Sequence, residues 1–207
     1  MERKLLIWSF GNADIYFDSQ LIEHYNDWEL SNISFVEKIQ IILNNYDKYS
    51  KKLNFPMINS FLEQQEKWKF DFVGIFTKQS NKYSITDTYL IYDLLQLYLK
   101  DRDFGDDKQI VLYPKKKQIV LDDAFDEERI FNILQLDFTQ IKEEISLVWY
   151  KEVLLNITGG TKIMTLLLAS VVKDIFDSDE IKIYYGLWDK NTDKTKFITV
   201  NKFITNV

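Results

Sequence analysis

The chain has 207 residues, 46% of them hydrophobic and 28% charged, with 5 Trp, 12 Tyr and 15 Phe, enough apolar volume for the core of one generous domain. With no cysteine and only one histidine, His24, there is no disulfide framework, thiolate metal site or Cys nucleophile, and any Ser-His-Asp triad or zinc site would depend on that single imidazole. The net charge of −6 argues against long nucleic acid as a partner, since such binding needs a basic face, but a small anion needs only a local nest of donors.

Residues 4–10 form a β-type apolar run that stops at Gly11-Asn12, a turn signal. Within 31–49, Ile33, Val36, Ile39, Leu43 and Tyr46 recur at helical spacing and predict one helix. Phe55-Pro56 breaks it, 58–68 reads as a second helix and 70–77 as a strand. Ser84 and Asp87 resemble a capping box ahead of a helical stripe at Ile91, Leu94, Leu95 and Tyr98. A short strand over 109–113 ends at Pro114, and 125–148 carries a long amphipathic pattern. The remaining expectations are a strand at 151–157, an apolar and therefore buried helix at 161–176, and a strand at 181–188 pairing with 196–204 as a hairpin.

This alternation predicts an α/β fold: an open, mainly parallel, Rossmann-like sheet flanked by helices, with a C-terminal hairpin. We expect one domain over 1–207, with 12–69 as a long insertion in the first crossover and 181–207 as the terminal strand and hairpin. No signal peptide is legible, and the longest apolar stretch, 164–172, is far short of a bilayer span; a soluble, cytoplasmic protein without membrane contact is expected.

In open α/β sheets ligands bind beyond the carboxyl ends of strands. Two turns there hold three of the six glycines: Ser9-Phe10-Gly11-Asn12-Ala13-Asp14, and Thr158-Gly159-Gly160-Thr161-Lys162 after Asn156-Ile157. Paired glycines permit close backbone approach, the threonines supply hydroxyls, Lys162 a cation, and the following helix directs free N–H groups at the same point. This is an anion cradle; a tight strand-to-helix turn with Thr161 as N-cap is the plainer reading. Neither the P-loop nor the dinucleotide Gly-x-Gly-x-x-Gly pattern occurs.

The stretch Asn156-Ile157-Thr158-Gly159-Gly160-Thr161-Lys162-Ile163-Met164, with the polar loop 9–14, resembles the CARF family, the CRISPR-associated Rossmann-fold sensors. The resemblance implies a homodimer binding a cyclic oligoadenylate, a tetra- or hexa-adenylate, across its two-fold axis in type III CRISPR antiviral signalling. Carried over by position, the ligand-binding residues are Ser9, Gly11, Asn12, Thr158, Gly159, Gly160, Thr161 and Lys162, with no metal and no cofactor. Some members cleave their own ligand through a ribose 2′-OH; here Lys162, Thr161 and Ser9 would be the catalytic set. An unrelated phosphate- or nucleotide-binding regulator is the alternative from another class.

The HEPN ribonuclease effector that many relatives carry needs an Arg followed at short spacing by His, and Arg3, Arg102 and Arg129 do not stand so before His24. The chain is expected to act as a stand-alone sensor or as the sensor part of an effector not visible in it. The run Lys115-Lys116-Lys117 and the acidic residues Asp122, Asp123, Asp126, Glu127 and Glu128 read as solvated loop and helix N-terminal charge. The five tryptophans read as packing residues.

Overall fold

Among the described residues, seven strands join in one sheet, in the order β3-β2-β1-β5-β6-β7, with β4 also on β2. The computed structural model describes residues 3–11, 15, 34–51, 53–65, 68–77, 90–102, 108–113, 118–122, 125–145, 150–176, 181–189, 192 and 194–200. The strands are β1 (Arg3–Ser9), β2 (Trp68–Thr77), β3 (Lys108–Leu112), β4 (Ile119–Leu121), β5 (Tyr150–Asn156), β6 (Ile181–Asp189) and β7 (Lys194–Thr199). The helices are α1 (Phe35–Asn44), α2 (Tyr46–Tyr49), α3 (Pro56–Glu63), α4 (Ile91–Lys100), α5 (Glu127–Ile145) and α6 (Lys162–Ile175).

β1 is central because Leu5 to Ser9 are buried on both faces, as a strand flanked by parallel neighbours requires. Among the described residues every pairing is parallel except β6 with β7, so the expected Rossmann-like sheet and terminal hairpin are both present. Side chains of α1 to α4 pack on one face around Trp8, Phe10, Phe61 and Phe72. Those of α5 and α6 pack on the other around Ile7, Val73, Phe138 and Leu168. On the first face Phe61 meets Trp8, Tyr184 and Phe197 edge-on, 5.2–5.6 Å between centroids, tying α3 to the hairpin.

Three sequence expectations need correction. The single helix over 31–49 is two: Ser34 and Glu37 form a capping box that starts α1, and Asn45 interrupts it before α2. The helix at 161–176 is not buried all round. Met164, Leu168, Val171 and Val172 enter the core, but Ile163 and Leu166 are exposed, because α6 covers the sheet with one stripe only. The strand β4 was not expected, its apolar run being only three residues long. It continues the lane of β3 on β2, and the gap is closed by a side chain: Gly74 N–H donates to Gln118 Oε1 at 2.6 Å while Gln118 Nε2 donates to Tyr113 O at 2.9 Å. A Cβ on residue 74 would lie 2.9 Å from that Oε1 and 2.4 Å from the Phe76 ring, hence glycine.

The capping pair Ser84/Asp87 and the hairpin's far end, 201–204, lie outside the described residues, as do His24, Lys115 to Lys117 and Asp123. Among the described residues no helix is long and apolar enough to cross a membrane.

Candidate functional site

From β1 the chain moves outward to β2, β3 and β4, then returns to place β5 on the other side of β1. The carboxyl ends of β1 and β5 are therefore the point where strand order reverses, and a crevice opens at such a point. Both glycine-bearing turns leave from it.

β1 runs into its turn through Phe10, whose N–H bonds Ile75 O at 2.9 Å and whose ring stacks on Phe76 at 4.6 Å. β5 ends at Asn156, fully buried. Asn156 Oδ1 accepts from Thr158 N–H at 3.0 Å and from the Thr158 hydroxyl at 2.5 Å, a local side-chain turn that bends the chain off the sheet. Thr158 Oγ1 in turn accepts from Gly186 N–H of β6 at 2.7 Å.

The two turns then meet back to back. Ser9, fully buried, donates its hydroxyl to Gly159 O at 2.9 Å. A Cβ on residue 159 would fall 2.2 Å from Ser9 O and 2.8 Å from Gly11 N, so only glycine lets the backbones touch. Gly160, at φ +87°, takes the left-handed conformation that turns the chain into α6. Thr161 caps that helix, its Oγ1 accepting from Met164 N–H at 3.2 Å, and no acidic residue stands in the first turn. The partial positive charge of a four-turn helix is thus uncompensated there by its own sequence.

The expected ligand set divides by placement. Gly160 and Lys162 are exposed, and Thr158, Thr161 and Gly11 half-buried. Lys162 makes no ion pair with any described residue. Ser9 and Gly159 are buried, and together with half-buried Thr158 their polar groups shape the corner instead of facing out. Asn12, and Asp14 beside it, lie outside the described residues. Two further residues belong to the corner. Asn156 also holds a buried Nδ2 with no hydrogen-bond partner among the described residues. Gly186 was missed; the available signal was an isolated glycine within a strand pattern, which marks close backbone approach.

Chemically, the corner offers backbone donors at a helix end and one exposed ammonium, the equipment for a phosphate or other oxyanion.

Residues 106–206 match the family model described as Card1 CARF domain, a segment that contains the corner after β5, α6 and the terminal hairpin. No curated protein matches the chain by sequence. Among solved structures, Csm6 of Enterococcus italicus, bound to cyclic hexa-2'-fluoro-hexa-dAMP, is similar with 13% identity and a TM-score of 0.49; the alignment covers 99% of this chain and 44% of that one. The chain thus spans less than half the length of that Csm6 chain. The match of residues 106–206 supports a CARF assignment for that segment of the chain.

Proposed function

We propose that the protein is a sensor that binds a cyclic oligoadenylate second messenger at a two-fold dimer interface in type III CRISPR antiviral signalling. The observation that carries this reading is the corner after β5: an acid-free helix N-terminus, the left-handed Gly160 and exposed Lys162 stand together at the strand-order switch, inside the segment that matches a CARF model. Gly160, Thr161 and Lys162 touch the ligand phosphates, with Gly11 on the opposite loop; Ser9, Thr158 and Gly159 hold the corner in shape.

A ring of repeated nucleotides has rotational symmetry, so two copies of one corner related by a two-fold axis can grip it. Apolar exposure beside the corner supports that pairing. Ile163 and Leu166 of α6 are 38% and 69% exposed, and Tyr185 and Leu187 of β6 41% and 46%. Tyr185 and Leu187 alternate with the core residue Ile183, which places them on the α6 side of the sheet. A second copy covers this patch.

Calorimetric titration with cyclic tetra- and hexa-adenylate, paired with light scattering, tests the reading. One ring per dimer is expected, and Lys162→Ala should weaken binding about tenfold or more through loss of a charge-assisted contact. A strictly monomeric protein, or undiminished binding by that variant, would overturn the assignment. Incubating ring and protein in EDTA reads cleavage separately: a linear product ending in a 2′,3′-cyclic phosphate extends the function to ring nuclease, with Lys162 and Thr161 as the residues to mutate. The Ser9 proton is already engaged by Gly159 O, so Ser9 serves that reaction only by positioning. Binding of mononucleotides and no rings would favour an unrelated phosphate-binding regulator.

A further inference from the structure

A concavity of about 460 Å³ lies on the other face of the sheet from α6, between the segment after α2, the outer side of α3, the end of α4 and the start of β7. Its volume is in the range of small-molecule pockets. Three of its lining side chains are cationic, Lys51, Arg102 and Lys194, against one carboxylate, Glu63, in a protein whose net charge is −6. Glu63 pairs with Lys194 at 3.1 Å, and the neighbouring Asp101 is hydrogen-bonded to Tyr46. Lys51 and Arg102 are in no ion pair among the described residues.

The floor is built. The Arg102 guanidinium lies 4.4 Å from the centre of the Tyr98 ring, which supports its plane. Tyr98 OH accepts from Asn59 Nδ2 at 2.6 Å, and the same nitrogen donates to Asn54 Oδ1 at 2.7 Å. Both Nδ2 hydrogens of Asn59 are thereby used, and its amide orientation is fixed. Asn59 Oδ1 and Asn54 Nδ2 remain as an acceptor and a donor, the complement of a hydroxyl group.

We propose that this pocket binds a phosphate monoester of a small hydroxylated molecule, its phosphate on Arg102 and Lys51 and its hydroxyls on Asn54 and Asn59. A guanidinium seated over an aromatic ring and an ammonium lining the same pocket suit a dianionic phosphate, and the paired amides suit a sugar. The site is independent of the corner after β5, from which it shares no residue.

The test is calorimetric titration of the full chain with ribose 5-phosphate and, separately, with adenosine 5′-monophosphate. One site per chain is expected, with Arg102→Ala and Lys51→Glu each weakening it about tenfold or more and Lys162→Ala leaving it unchanged. Lys51 is exposed, so its charge reversal tests the site without disturbing the core. Equal affinity for the two ligands assigns recognition to the sugar phosphate, and tighter binding of the nucleotide adds the base. The proposal is overturned if neither ligand saturates a site, if both variants bind as the wild type does, or if Lys162→Ala abolishes binding.

Discussion

The two ends of the sheet use polar groups in opposite ways. Toward the amino ends of the strands, buried Asp71 pairs with Arg3 at 3.1 Å and accepts from Tyr150 OH at 2.5 Å, and Tyr150 OH meets Tyr113 OH at 2.9 Å. Burial, then the carboxylate beside it, pushes the Tyr150 hydroxyl far above its ordinary range, so it stays a donor. Charge there is met by charge. At the carboxyl ends the side-chain groups of Ser9, Asn156 and Thr158 are engaged in shaping backbone, and the cation Lys162 and the end of α6 face outward. The first arrangement holds strands together; the second leaves a cation and the start of a helix exposed.

The comparison breaks most visibly at Asp71. Asp71→Ala removes the partner of Arg3 and Tyr150 and should lower unfolding free energy by about 1.5–3 kcal/mol, measured by chemical denaturation, with no specific effect on ring affinity. A loss below about 1 kcal/mol would mean that the network is not what secures that end. At the other end, Gly159→Ala drives a Cβ into the Ser9 carbonyl and should cost about 3 kcal/mol or more. It should also abolish oligoadenylate binding in variant protein that remains folded, because the turns can no longer touch; a folded variant that binds normally would refute the back-to-back corner.

The smallest effect sharpens the contrast near the amino end of β5, an interior strand. Burial raises the Glu152 carboxyl, but its hydrogen bonds and charge interactions with Lys182 and Lys4 outweigh that and hold it below the usual range. A depressed folded pKa gives stability that is present above the unfolded carboxylate value of about 4.3 and is lost as pH falls through the folded one. Glu152→Gln should therefore cost less than about 1 kcal/mol at pH 7 and flatten the stability profile below pH 4.5. Thermal melts across that range read it.

Much of this was legible in the sequence because period and punctuation are local properties. The alternation of strand and helix, the glycine pair and its threonine cap needed no partner to be recognised. What needed partners was not legible. Ser9 and Thr158 read as hydroxyls for a ligand, yet their bonds run to residues 150 and 28 positions away. The exposure of Leu166 depends on how wide a stripe α6 turns to the sheet, which composition alone does not tell. β4 is held by Ile75 to Thr77 of β2, and its three residues carry too short a pattern to stand out.

The side-chain bridge from Gln118 has a consequence for life in a crowded solution. A long, regular outer strand is a template on which other chains can add by β-pairing. Among the described residues, this margin is split between Leu112 and Ile119, and at the break an amide from a side chain occupies the position where a stranger's carbonyl would dock. The interruption thus makes this rim a poorer template for β-addition.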